Sequence, residues 1–474
     1  MGNSTVDDLS ARRRSGTQVE RVMRTIRDRI ASRSLAPGAK IPSIRSAAET
    51  MRVSKSTVVE AYERLMAEGI IKSRPGSGFY SAAPLAPLSL AEIAPRLDRS
   101  IDPFWVSRQS LEAGGDMLKP GCGWLPSHWM PEEEIRRSLR SLAKLEDRTG
   151  LTDYGSPLGL SALRQYLSRR MAEQDLHVTV EQILLTDSGT QAIDLVCRLL
   201  LQPGDTVLVD DPCYFNFLAL LRAHQAKAVG VPYTATGPDI SLFEQALADH
   251  RPRLYITNSG LHNPTGAALS AVTAHKVLKL AEKHDLIIVE DDIFADFEIE
   301  PAPRLAALDG LDRVVRVGSF SKALSASFRC GYVASSRDWI DKLTDHRIAT
   351  GFSSSRLTEE LVLGVLSSGA YRKHREILRG RLAEARAATL PRLRALGIEP
   401  WIEPRAGMFV WGRLPGGMDA AHVARHALAD GAVLAPGNVF SASQTMTGFL
   451  RFNVAQCADD RVFDILEKAM RRAA

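Results

Sequence analysis

The sequence has little cysteine: Cys122, Cys197, Cys213, Cys330 and Cys457 are all it holds, and no two form a C-x-x-C pair. An odd, scattered set of this kind excludes a disulfide framework and gives no metal site. A reduced, cytoplasmic protein is expected. Long apolar runs are also missing; none reaches the ~18 residues of a membrane-spanning helix, so no membrane partner is expected. The first residues, MGNSTVDDLSARRRSGTQ, are polar and lack the apolar core of a signal peptide. No internal repeat or low-complexity tract is present. What remains is ordinary globular composition, 45% hydrophobic and 24% charged. At 474 residues the chain is too long for one core, and two or three domains are expected.

The net charge of +5 is unevenly placed. Residues 1–80 carry 15 Lys+Arg against 8 Asp+Glu, whereas the rest carry 45 against 47. Such a step suggests a nucleic-acid-binding head on a neutral body. Within the head, Val19, Val22, Met23, Ile26 and Ile30 recur at helical spacing over residues 19–33. Leu35-Ala36-Pro37-Gly38 breaks that helix. Pro42-Ser43 opens a second helix with Ile44, Ala47, Ala48 and Met51 on its apolar side. Ser54 caps a third, which exposes Lys55, Ser56 and Thr57 in its first turn. Small polar and basic side chains there suit a major groove. Residues 70–74 read as a strand with basic Lys72 and Arg74. Pro75-Gly76-Ser77-Gly78 is a turn, and Phe79-Tyr80 returns as a second strand. Three helices and a two-stranded wing make a winged helix-turn-helix.

This stretch resembles the DNA-binding domain of the GntR regulators. The matching residues are Leu35-x-Pro37-Gly38, Ile41-Pro42-Ser43-x-Arg45, Val53-Ser54-Lys55-Ser56-Thr57-Val58, Ala61-Tyr62-x-x-Leu65-x-x-x-Gly69 and Gly76-Ser77-Gly78. The resemblance implies contacts to a double-stranded DNA operator from Arg45, from Ser54, Lys55, Ser56 and Thr57, and from the wing at Arg74, Gly76, Ser77 and Gly78. The domains expected are a disordered tail at 1–18, the head at 19–80, a proline-containing linker at 81–118 and a large domain at 119–474. Ile101–Trp105 is too apolar for a free tether and is expected to dock on the large domain.

From about 119 the chain alternates helices with short apolar strands at 182–186, 206–209, 253–257, 286–289 and 314–318. Strands buried on both faces and separated by helices predict a mainly parallel α/β sheet with ligands at its carboxyl ends. The polar signals stand there. Thr186-Asp187-Ser188-Gly189-Thr190 opens a helix and offers free amides to an anion. His262-Asn263-Pro264-Thr265-Gly266 follows another strand. Glu290-Asp291-Asp292 ends a third, where adjacent buried acids require a cation for one of them. Ser319-Phe320-Ser321-Lys322 ends a fourth, with Arg329 beyond it. A strand-end lysine can join an aldehyde, a carboxylate can hold a pyridine nitrogen protonated, and an arginine with a hydroxyl-rich helix start can hold a phosphate. These are the parts needed for pyridoxal 5′-phosphate (PLP).

Over about 119–470 the array resembles the fold-type I aminotransferases, which implies an α/β PLP-transferase fold with a small C-terminal α+β subdomain. It further implies Lys322 as the Schiff-base lysine, Asp291 at the pyridine nitrogen and Asn263 near the ring hydroxyl. Ser188, Gly189, Thr190, Ser319, Ser321 and Arg329 would surround the phosphate, and Tyr214 would stack on the ring. Arg451, in Leu450-Arg451-Phe452-Asn453, would take a substrate carboxylate, and Tyr154 would reach the phosphate of a partner subunit. One position departs from the pattern. Many aminotransferases have a tyrosine where this chain has Phe294, which cannot donate a hydrogen bond to the ring hydroxyl and puts efficient transamination in doubt. A GntR head on such a body resembles the MocR regulators. That resemblance implies a homodimer that binds DNA and senses an amine, an amino acid or PLP itself. The alternatives are a working aminotransferase acting on an amino acid and a 2-oxo acid, and a DNA-binding scaffold without cofactor.

Overall fold

The computed structural model describes residues 17–31, 35, 39–74, 77–81, 103–112, 114–144 and 152–474. Two units divide the chain, residues 1–97 and 98–474. Pro37, Gly38, Pro75 and Gly76 lie outside the described residues, as do residues 1–16 of the expected tail and residues 82–102 of the expected linker.

In the first unit, α1 (Gln18–Ala31) starts with a capping box: Thr17 Oγ1 accepts from Glu20 N at 3.2 Å, and Glu20 Oε2 accepts from Thr17 N at 2.8 Å. α2 (Ile44–Met51) is capped by Ser43 and ends at Arg52, whose φ is 52°. α3 (Lys55–Ala67) is capped by Ser54, whose Oγ accepts from Thr57 N at 3.1 Å. Val22 and Ile26 of α1, Ala47 of α2, and Val58, Ala61 and Leu65 of α3 bury their shared face. Tyr62 joins this core and donates from its hydroxyl to Pro42 O at 2.8 Å, so the ring is buried while its polar tip is satisfied. β1 (Ile71–Arg74) pairs antiparallel with β2 (Gly78–Ser81), Lys72 opposite Tyr80. The backbone of residues 39–41 adds bonds along β2, Ile41 N to Phe79 O and Ser81 N to Ala39 O, both 2.9 Å. Phe79 packs edge-on against Tyr62 and so ties the wing to the helical core.

The second unit is built on an eight-stranded sheet. Its strands are β3 (Ile183–Thr186), β4 (Thr206–Asp211), β5 (Lys227–Thr234), β6 (Gly237–Pro238), β7 (Leu254–Thr257), β8 (Ile287–Asp291), β9 (Val314–Ser319) and β10 (Gly331–Ala334), in the order β3-β10-β9-β8-β7-β4-β5-β6. β9, β8, β7, β4 and β5 run parallel; β10 runs antiparallel between β3 and β9. Alternate side chains leave opposite faces. Leu185, Leu208, Tyr255 and Ile288 pack with Leu163, Phe243 and Val277 on one side. Leu184, Val207, Ile256 and Val289 pack with Val196, Leu221 and Ile340 on the other. This two-sided burial explains strands that read as continuous apolar runs. Toward the C-terminus, β11 (Glu399–Pro400), β12 (Phe409–Arg413), β13 (Ala435–Pro436) and β14 (Phe449–Asn453) form a smaller antiparallel sheet, ordered β11-β12-β14-β13. Helices Ala420–Ala429 and Arg461–Ala473 contribute to its core. Residues Pro103–Glu112, inside the stretch expected as linker, form a helix that buries Trp105 and Val106 in that core. Among the described residues no helix is long and apolar enough to cross a membrane.

Candidate functional site

In the first unit the expected groove-facing residues stand at the surface. Lys55 and Ser56 are exposed at the start of α3, and Arg45 is exposed on α2, within 3.2 Å of Glu49. Ser54 is occupied: besides capping Thr57 N, its hydroxyl lies 2.8 Å from Ser56 Oγ and 2.7 Å from Thr57 Oγ1. In the wing, the Arg74 guanidinium lies over the Tyr80 ring, 4.5 Å from its centre, and Ser77 Oγ is 2.6 Å from Tyr80 Oη. Ser77 N bonds to Arg74 O at 2.9 Å, and Gly78 takes a φ of 104°, a left-handed conformation that suits glycine.

In the second unit a cavity of about 340 Å³ opens at the carboxyl ends of the parallel strands. Ser188, Gly189, Thr190, Tyr214, Asn263, Asp291, Ser319, Ser321, Lys322, Arg329 and Arg451, read from segments far apart in sequence, all line it. Tyr154 does not. It is 83% exposed, its ring tilted against that of Phe352 at 5.4 Å.

The strand ends set this geometry. After β3, Ser188 caps the helix Gly189–Leu200 through Gln191 N at 3.0 Å, and the amides of Gly189 and Thr190 have no acceptor within the helix. A Cβ on Gly331 of β10 would stand 2.6 Å from the Ser188 carbonyl carbon, so only glycine lets β10 pass behind this cradle. After β9, Ser319 Oγ lies 3.0 Å from Ser321 Oγ and 3.1 Å from Cys330 O. Lys322 Nζ donates to Gly123 O at 2.8 Å. Arg329 has a φ of 49° and makes no ion pair among the described residues.

At the end of β8 the three acids separate. Glu290 accepts from Leu305 N and Ala306 N at 2.7 and 2.9 Å and caps the helix Leu305–Asp309. Asp292 is clasped by Arg304, at 2.8 Å, and Arg316. Asp291 is left to the cavity; its Oδ1 accepts from Ile293 N at 3.2 Å, and Asn258 Nδ2 donates to its backbone oxygen at 3.0 Å. Burial pushes the Asp291 carboxyl up to about 7. Burial, and then the nearby Arg451 charge, push Lys322 down to about 8. A lysine with that value supplies neutral amine, the nucleophilic form, near neutral pH.

Arg451 on β14 is fully buried and meets no carboxylate among the described residues. Nη1 donates to Asn263 Oδ1 at 2.8 Å and Nη2 to Gly121 O at 2.7 Å, while Nε has no partner. Phe409 and Phe440 lie against its guanidinium at 4.4 and 4.8 Å. Burial holds its pKa down, at about 10. Phe294 is buried at the cavity wall, edge-on to Phe409.

Several contributors were assigned no role from the sequence. Asn258 supports Asp291 from the end of β7. Gly123 receives Lys322 through a backbone oxygen, which no residue type announces. Asn453 holds the adjoining loop by donating to Cys122 O and Trp124 O at 3.1 and 2.8 Å. Behind Asn263, the buried His262 stacks on Tyr233, with Nδ1 2.7 Å from Thr265 Oγ1 and Nε2 3.3 Å from Asp210.

The family model for aminotransferase class I and II matches residues 126–468, and that for bacterial regulatory proteins of the gntR family matches residues 18–80. Curated relatives are similar over nearly the whole chain. The HTH-type transcriptional regulator YdcR of Escherichia coli is 29% identical over 91% of this chain and 93% of its own. YdfD of Bacillus subtilis, also an HTH-type transcriptional regulator, is 27% identical over 92% of each. Among solved structures, the α-aminoadipate aminotransferase LysN of Thermus thermophilus, complexed with N-(5′-phosphopyridoxyl)-L-leucine, superposes with a TM-score of 0.71 at 25% identity, over 81% of this chain and 99% of that one. The Pyrococcus horikoshii kynurenine aminotransferase shares the fold, with a TM-score of 0.72 at 24% identity over 79% of this chain and 96% of its own. The chain therefore belongs to the aminotransferase class I and II family, and it carries that domain behind a gntR-family DNA-binding head, the arrangement of the MocR-type transcription regulators.

Proposed function

We propose that the protein is a PLP-dependent DNA-binding transcription regulator that acts as a homodimer and senses an amine, an amino acid or PLP through Schiff-base chemistry at Lys322. One observation carries the reading: Lys322, Asp291, Arg451 and an open helix start share one cavity, in a chain that also has a gntR-family head. The residues fit the cofactor. Asp291 is a buried acid with no ion pair among the described residues, and the Gly189 and Thr190 amides have no intrahelical acceptor. When bound, PLP supplies an aldehyde for amines and an electron-withdrawing ring. Asp291 would keep the ring nitrogen protonated. Asn263 would approach the ring hydroxyl, and Tyr214 would stack on the ring. Ser188, Gly189, Thr190, Ser319, Ser321 and Arg329 would hold the phosphate. Arg451 would receive the carboxylate of an amino acid through its planar fork. Tyr154, exposed as it is, would reach the phosphate held by the partner subunit.

A sensor requires a ligand that binds two conformations unequally. Lys322 would be freed when an amine takes its place, and the carboxylate of an amino acid would neutralise Arg451. The change in operator affinity expected is about 1–3 kcal/mol, the usual range of coupling. Titrating DNA binding against PLP, and then against amines with PLP saturating, tests this. If neither changes DNA affinity and 2-oxo-acid-dependent turnover is rapid, the second reading, an active aminotransferase, replaces it. The assembled Lys322, Asp291 and Arg451 favour that second reading, and Phe294 counts against it.

A further inference from the structure

We infer, on the sensor reading just given, that Asn453 is a positioning residue for Arg451. It fixes the loop 120–124, against which the Arg451 fork is held, and so sets how strongly the site prefers an amino acid to the same amine without its carboxylate. Arg451 and Asn453 stand two apart on β14 and leave the same face of the strand. That face meets the loop. Arg451 Nη2 donates to Gly121 O at 2.7 Å, and the Asn453 amide donates to Cys122 O at 3.1 Å and to Trp124 O at 2.8 Å. The Asn453 backbone nitrogen adds a bond to Pro120 O at 2.7 Å. Asn453 is fully buried, and its Oδ1 accepts from Ala455 N at 3.2 Å, which fixes which end of the amide faces the loop.

The Arg451 guanidinium has two hydrogen-bond acceptors among the described residues, Asn263 Oδ1 on one arm and Gly121 O on the other. Two such points set the plane of the fork, and with it the direction from which a carboxylate can be met by both arms. Gly121 is anchored on one side, where its nitrogen donates to Val433 O at 2.9 Å and a Cβ would run into the backbone of Leu434 and Ala435. Asn453 anchors the residues that follow. Without its amide, Trp124 O keeps the Gln456 Nε2 donor at 3.2 Å and Cys122 O loses the amide, so the loop stays attached but is less firmly fixed. The same loop carries Gly123, whose oxygen accepts from Lys322 Nζ at 2.8 Å. A loosened loop therefore touches amine exchange as well as carboxylate binding. An amino acid and its own decarboxylated amine separate the two, because both exchange with Lys322 and only the amino acid needs Arg451.

The test uses the full-length protein reconstituted with PLP, as wild type, Asn453→Ala and Asn453→Ser. Each is titrated with L-alanine and ethylamine, L-leucine and 3-methylbutylamine, and L-phenylalanine and 2-phenylethylamine while the cofactor absorbance is followed. In the wild type the amino acid of a pair is expected to half-saturate at the lower concentration. Asn453→Ala is expected to shrink that advantage by roughly 10-fold, the scale of one ill-made hydrogen bond to a charged group. Asn453→Ser keeps one donor, is expected to lose less, and carries the test if the alanine variant does not fold. A ratio of amino acid to amine that is unchanged in every variant that folds, both members weakening alike, marks a merely structural role and overturns the inference while the sensor reading stands. A wild type that favours the amine in every pair overturns the assignment of Arg451 to a carboxylate, and the inference with it. A visible cofactor band that none of the six compounds moves overturns the sensing of amines itself.

Discussion

The carboxylates of Asp291 and Asp292 belong to adjacent residues and meet opposite fates: Asp292 is held between the guanidiniums of Arg304 and Arg316, and Asp291 lines the cavity with no ion pair among the described residues. Strand alternation does this, since successive side chains at the end of β8 leave opposite faces of the sheet. The two acids should therefore respond differently to the same substitution. Asp292→Asn leaves two buried arginines poorly neutralised and is expected to destabilise by about 3–5 kcal/mol. Asp291→Asn is expected to leave the cofactor-free protein at least as stable as wild type but to weaken PLP retention. Urea unfolding and cofactor release on dialysis separate the two. Equal destabilisation by both would show that the assignment of Asp291 to the cofactor is wrong.

The raised Asp291 value has a consequence for pH. Burial moves this carboxyl from 3.8 to about 7, so the folded protein binds that proton more tightly than the unfolded chain does. Cofactor-free protein must then lose stability as pH rises from about 4 to about 7, by up to ~4 kcal/mol at 1.36 kcal/mol per unit. Lys322, lowered to about 8, adds the opposite trend, but only above pH 8. Cofactor-stripped wild type and Asp291→Asn, unfolded at pH 5 and pH 7.5, provide the measurement. The variant's advantage should widen at pH 7.5, and parallel behaviour would refute the linkage.

Lys322 is the residue whose loss should be visible by eye. Lys322→Ala is expected to abolish the yellow absorbance of the lysine-bound cofactor while the circular dichroism stays native. Borohydride reduction should leave a covalent label on the wild type and none on the variant. A labelled variant would move the attachment to another lysine.

For the head, Arg45→Ala and Lys55→Ala should each weaken DNA binding and reduce the salt dependence by about one unit of slope for every phosphate left without its cation. Neither should alter the cofactor spectrum. Ser54→Ala acts differently, because its oxygen caps α3. The expected cost is about 1 kcal/mol of head stability, read as a lower melting temperature. A salt slope unchanged in Lys55→Ala would argue that α3 does not face the DNA backbone.

The sequence disclosed residues whose type is itself the signal. Lys322, Asp291 and Asn263 were legible because each stands after an apolar strand and carries chemistry that a core seldom needs, whereas Arg451 was read from the family pattern. The choice of Asp291 over Asp292 came from the family pattern, and the two arginines that occupy Asp292 come from residues 304 and 316, which no spacing rule joins to it. β10 gave little warning. Four residues with a glycine at their head read poorly as a strand, and that glycine is needed because of Ser188, far away in sequence. The helix Pro103–Glu112 hid among prolines that suggested a tether, although Trp105 had marked the place where the chain docks. Tertiary contacts between distant segments, such as Asn258 with Asp291, have no local counterpart to read.

Arg451 is a fully buried cation that no carboxylate of the described chain neutralises, and keeping it so costs the folded state free energy. A carboxylate that binds there returns that free energy, and occupancy at 100 times Kd adds about 2.7 kcal/mol of stability. Degradation in cells draws on the unfolded fraction, so a difference of this size would change protein lifetime several-fold. The ligand would then set how much regulator a cell holds as well as how the regulator behaves.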